Sequence, residues 1–206
     1  MNDLQNFNNL YLDLAQSAYE KRPVSLRDAL KWAQNNAYLD YSQNYNDEEQ
    51  MFPGGKNLPN NGILYVQKDK TERFTSTNIE LMYKKGLLID EKEGFNSYFL
   101  TDTPELSTDT KNTYLAVKGS DVPGLDNLSP IGNDWLGNNY PFTMNDEYIT
   151  QGKLVEEALH VKLAELREKA PNAKLNITGH SLGSIASVQG VAHLSVKELE
   201  QIGEIV

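Results

Sequence analysis

The chain has 206 residues, enough for one ordinary domain with a sizeable core. A net charge of −10, with no basic cluster denser than Lys84-Lys85, argues against a nucleic-acid partner, which needs clustered cations to displace counterions. The complete lack of cysteine removes disulfides, thiolate catalysis and zinc–thiolate sites, and it leaves the compartment open. With 39% hydrophobic and 23% charged residues, no apolar run near the ~20 residues of a bilayer span, and no basic-then-apolar start, the expectation is a soluble chain without a Sec signal peptide. It would be cytoplasmic, or exported by a non-Sec route.

In chain order, Leu4, Phe7, Leu10, Tyr11, Leu14 and Ala18 recur at spacings of three and four, which predicts an amphipathic helix over 4–19. Ser25 caps a second helix carrying Leu26, Ala29, Leu30 and Ala33. Residues 35–61, rich in Asn, Asp, Gly and Pro, read as a long surface loop, so 1–60 is expected as a helical N-terminal segment ahead of a core over 61–206. A strand is predicted at Ile63–Gln67, then a short helix from Thr77 or Asn78 to Lys85 ended by Gly86. The β-rich runs 96–101 and 113–118 predict neighbouring antiparallel strands. An irregular but apolar stretch follows, with Leu125, Leu128, Ile131, Trp135, Leu136 and Phe142. Two readings stand for it: a segment packed on the core, or a lid whose apolar side covers a pocket or meets lipid. Over 146–170, Val155, Leu159, Leu163, Leu166 and Ala170 form one stripe of a long helix, which Pro171-Asn172 stops.

The stretch Lys174–Gly190, KLNITGHSLGSIASVQG, then runs from an alternating strand through Gly179-His180-Ser181-Leu182-Gly183 into a small-residue helix. Strand, sharp turn and helix is the order of a nucleophile elbow. Ser181 at its apex is expected at positive φ, and a Cβ at 179 or 183 would collide with the neighbouring strand or the helix start. Such a turn lifts Ser181 Oγ to the top of a sheet and aims the Leu182 N–H, at a helix N-terminus, toward an oxyanion. The implied chemistry is acyl transfer to serine.

These pieces resemble the class 3 (fungal-type) lipases, a branch of the α/β-hydrolases, over roughly residues 95–194. Val117-Lys118-Gly119-Ser120 is similar to the family's Arg-Gly-Thr or Gly-Ser strand end, Ile131–Leu136 (IGNDWL) to its lid-adjacent Asn-Trp motif, and the long helix and Gly-His-Ser-Leu-Gly follow in the family's order. The resemblance implies an α/β-hydrolase-like sheet with flanking helices, Ser181 as nucleophile, and an oxyanion hole from Ser120 and Leu182. It implies a lipase- or phospholipase-like reaction on lipid or other acyl esters, peripheral contact with lipid near Trp135 and Leu136, and no metal or cofactor. Lys118, Asn138 and Ser184 depart from the family's usual Arg, Asp and Gly or Ala.

The acid and base are where the sequence departs furthest. In α/β-hydrolases they follow the serine, yet residues 182–206 hold only His193 with Glu198, Glu200 and Glu204. On a helix, His193 would lie about 18 Å along the axis from Ser181, at ~1.5 Å per residue, far beyond hydrogen-bond reach. It reads instead as a partly buried helix residue beside Ile185, Ala186 and Gln189. His180 should point away from its neighbour Ser181, and His160 reads as solvated beside Glu156 and Arg167. The expectation is a chain that lacks its base, ends in an amphipathic segment over 195–202 before another strand can form, and needs a second polypeptide or an oligomer to complete it. The competing expectation is a non-catalytic, hydrolase-like scaffold that binds a protein or lipid.

Overall fold

The computed structural model describes residue 11 and residues 14–15, 38–40, 63–76, 78, 82–119 and 148–206. Their centre is a mixed sheet. The longest strands, β6 (Phe95–Thr101) and β7 (Asn112–Val117), pair antiparallel from Ser97↔Val117 to Thr101↔Thr113, as the two β-rich runs predict. Helix α1 (Thr150–Lys169) crosses over, and β8 (Lys174–Gly179) returns parallel to β7 with Val117 opposite Gly179. Helix α2 (Leu182–Ala192) follows, then the single turn α3 (Val196–Leu199).

The predicted ending is corrected here. Residues Ile202–Ile205 form a strand, β9, parallel to β8, where the sequence reading allowed none. Asn176 makes this possible despite a shift in register between Leu175 and Ile177: its Oδ1 accepts the Glu204 N–H at 3.0 Å while its Nδ2 donates to Thr113 O. Beyond β9 no further strand pairs among the described residues, and Ile205 and Val206 remain 43% and 50% exposed.

On the other side of β6, the strand β5 (Ile89–Asp90) pairs with its beginning and β2 (Ile63–Gln67) with its end. Two expectations fail on this side. Tyr38–Asp40, inside the supposed surface loop, form β1 against β2. Lys84–Lys85, placed at the end of a short helix, form β4 between β3 (Arg73–Phe74) and β5. Gly86 is not a helix cap but a point of close approach, since a Cβ there would stand 2.9 Å from Glu72 Cα and 2.3 Å from Asp69 Oδ2. Asp69 organises the turn by accepting the N–H groups of Thr71 and Leu88, both at 2.8 Å.

Alternation along the strands divides the core into two layers. Leu115, Val117, Leu175 and Ile177 face Val155, Leu159, Leu163 and Leu166 of α1 and Leu182 and Ala186 of α2 in one buried cluster. On the opposite face, buried Tyr114 meets Tyr11 edge-to-face at 6.2 Å, and Thr178 Oγ1 donates to Tyr11 O at 3.1 Å. Tyr11, Leu14 and Ala15, buried and helical, therefore cover the side that α1 and α2 leave open. Burial lifts the phenol pKa of both Tyr11 and Tyr114. The rest of the predicted helix over 4–19, and the one after Ser25, lie outside the described residues.

The stripe predicted for α1 is buried as expected, but the helix begins at Thr150 rather than at 146. Ile149 is extended (ψ 153°), because its N–H donates to Gln189 Oε1 of α2 and its side chain is buried. No helix among the described residues is long and apolar enough to cross a membrane.

Candidate active site

The sheet's C-terminal edge, where β7 and β8 end side by side, carries the GHSLG turn. Ser181 has φ 57° and ψ −124°, and it alone among the described non-glycine residues has positive φ. Two close approaches force that conformation. A Cβ on Gly179 would stand 2.5 Å from the Gly183 carbonyl carbon and 2.8 Å from Ser184 N. On Gly183 it would stand 2.5 Å from Val117 O and 2.9 Å from the Lys118 carbonyl. With no Cβ at either place, strand, turn and helix pack backbone to backbone, and Ser181 is left exposed at the apex.

Inside the turn, Gly183 N–H donates to His180 O and Ser184 N–H to Ser181 O, both at 3.0 Å. The Leu182 N–H precedes these as the first amide of α2, on the positive end of the helix dipole. Ser184, a departure from the family pattern, adds a clamp: its Oγ donates to Gly179 O at 2.6 Å, tying the helix start back to the strand end. At the sequence level Ser184 is noted only as a departure from the family's usual Gly or Ala. A hydroxyl three residues past the apex, within reach of a strand-end carbonyl, was the signal available.

The β7 end abuts this turn. Lys118 is buried, its N–H donates to Asn96 O at 2.8 Å, and Gly119 beside it is buried as well. The strand therefore delivers residues 117–119 against the N-terminus of α2. Ser120, Trp135 and Leu136 lie outside the described residues.

The three histidines are placed clearly, and two expectations need correction. His193 is exposed rather than partly buried: it sits at the C-cap of α2, stacks on Tyr148 at 4.1 Å and 6°, and its Nδ1–H donates to Gln189 O. His160 is not simply solvated. Its Nδ1 lies 2.7 Å from Glu198 Oε1 and its Nε2 3.4 Å from Glu156 Oε1, and it shows no partnership with Arg167. His180 is exposed beside Ser181. Two of the three are thus engaged by groups away from the elbow.

No curated protein and no solved structure gives a significant match to the chain. A family model does: residues 125–202 match the one described as Lipase (class 3). That family implies an α/β-hydrolase fold, with which a mixed sheet flanked by helices is compatible. Over the stretch that spans α1, β8, the Ser181 turn and α2, the chain is class 3 lipase-like.

Proposed function

We propose that this lipase-like chain is a serine hydrolase of carboxylic esters, acting on lipids through an acyl-Ser181 intermediate. The strained backbone of Ser181 carries the reading: a non-glycine residue at φ 57° persists only where its surroundings enforce it, and here they present a hydroxyl to solvent at a helix N-terminus. In this mechanism Ser181 Oγ attacks the ester carbonyl. The carbonyl oxygen, becoming an oxyanion, is held by the Leu182 N–H and by the N–H and hydroxyl of Ser120. The alcohol leaves and water hydrolyses the acyl-serine. The apolar stretch around Trp135 and Leu136 receives the acyl chains. No metal or cofactor takes part.

On this reading none of the three histidines of this sequence serves as the general base, and a second polypeptide supplies the base and its acid. A second reading, a scaffold that binds a protein or lipid without catalysis, is favoured by the way His160 and His193 are held by Glu198, Glu156 and Tyr148.

Chemical rescue separates the two. Loss of the histidine from a serine-protease triad costs about 10⁶-fold in rate, so the 206-residue chain should react slowly with a fluorophosphonate probe and turn over a short-chain nitrophenyl ester near background. Added imidazole, standing in for the base, should accelerate labelling in the wild type and not in Ser181→Ala. Labelling indifferent to imidazole and to Ser181 would leave the scaffold reading. Rapid unaided, Ser181-dependent turnover would place a base within this sequence.

A further inference from the structure

Away from the elbow, a group of titratable side chains among the described residues bridges α1, α3 and Tyr148 just before α1. Ser195 caps α3 in a capping box: its N–H and hydroxyl both donate to Glu198 Oε2, at 2.9 and 2.6 Å, while the Glu198 N–H returns to Ser195 Oγ. The other carboxylate oxygen of Glu198 faces His160 Nδ1 at 2.7 Å. On the far side of the ring, Nε2 faces Glu156 Oε1, and Glu156 Oε2 accepts the Tyr148 hydroxyl. One imidazole therefore lies between two carboxylates, one from its own helix and one from α3.

A neutral imidazole has one N–H and can donate to only one of them; the other ring nitrogen would turn its lone pair on a carboxylate oxygen. An imidazolium donates to both. We infer that His160 is a proton-gated clasp, which in its charged form holds α3 against α1 and releases it on deprotonation.

Two elements bear on the ring. From α1 comes Glu156, from α3 Glu198, and among the described residues no cation stands against it. His193, at the end of α2, acts on Glu156 rather than on His160, and Lys153 stands over the Tyr148 ring at 5.6 Å. The hydrogen bond to Glu198 raises the His160 pKa above its ordinary value, with Glu156 adding to the shift. A group with a raised folded pKa contributes its stability fully below the unfolded value of ~6.5 and loses it as pH rises through the folded one. The clasp is thus closed in mildly acidic solution and opens toward alkaline pH.

What it holds connects with the elbow. Helix α3 leads directly into β9, where Leu175 N–H donates to Gln201 O, Val206 N–H to Ile177 O, and Gly179 N–H to Val206 O. The last of these fixes the strand end that carries the GHSLG turn. Loosening α3 loosens the lead into β9.

The test uses the 206-residue chain and does not depend on catalysis. The His160 ring protons should titrate in NMR above ~6.5, and lower in Glu156→Gln. Amide exchange, corrected for intrinsic rate, should show residues of α3 and β9 losing protection in the wild type between about pH 6 and 9. His160→Gln, which donates to one carboxylate without titrating, should show no such dependence. His160 titrating at or below ~6.5 would overturn the proposal. So would a His160→Gln chain whose α3 and β9 protection follows the wild-type pH profile. Because Glu156→Gln alters a partly exposed group and leaves the Glu198 contact in place, it keeps the NMR arm decisive should His160→Gln fold poorly.

Discussion

At Ser181 the cost and the use of a single conformation can be separated. A side chain at φ 57° and ψ −124° is strained by about 1–3 kcal/mol, and glycine occupies that region without penalty. Ser181→Ala keeps the Cβ and the strain, whereas Ser181→Gly removes both. The glycine variant should be more stable than the alanine variant by about 1 kcal/mol, a rise of roughly 2–4 °C in Tm for a chain of this size. Equal melting temperatures, or a lower one for glycine, would mean that the turn is not strained in solution. Neither variant has the Ser181 hydroxyl, so the comparison measures the turn alone.

Among elements, α3 is the one whose hold on the molecule is mostly polar. Glu198 has its pKa lowered to about 2, first by the Ser195 hydroxyl and then by His160. A depressed folded pKa gives stability that is full above the unfolded value of ~4.5 and is lost as pH falls toward the folded one. Acidification from about pH 5 to pH 2 should therefore loosen α3 more in the wild type than in Glu198→Gln. Exchange protection of residues 196–199 would report it, and identical acid profiles would refute it. Elements of this kind were also the hardest to read from the sequence. The Ser181 turn and the α1 stripe were legible because they depend on local sterics and a repeated period. By contrast β1, β4 and β9 have two to four residues each, take their conformation from partners far along the chain, and carry little propensity of their own. Gly86 misled because a glycine after Lys84-Lys85 looks like a helix cap when the chain packed against it, at Asp69 and Glu72, is out of view.

For the whole molecule, Trp135 is the natural reporter of the proposed contact with lipid. If the segment 125–142 covers acyl chains, its indole passes from protein or water into lipid on binding. In a Trp32→Phe background, which leaves Trp135 as the one tryptophan, emission should move to shorter wavelength on adding micelles or anionic vesicles. A spectrum blue-shifted throughout and indifferent to lipid would favour a segment packed on the core. The fold class was readable at this scale because helix, turn and parallel strand leave few arrangements. The covering of the second sheet face by Tyr11 was not, since nothing near Tyr11 in the sequence names Thr178 as its partner.

That last contact has a consequence for how the protein is made. Tyr11 and Thr178 are 167 positions apart, so at roughly 5–20 residues per second a ribosome needs roughly 8–33 s between synthesising one and the other. Through that interval Tyr11, Leu14 and Ala15 have no β8 to rest on, and long-range closure of this kind is slow even once both halves exist. Nascent chains should therefore be exposed to chaperones from the synthesis of Tyr11 until β8 and the Ser181 turn that follows it have left the exit tunnel, and the elbow and the residues around Tyr11 reach their final state together.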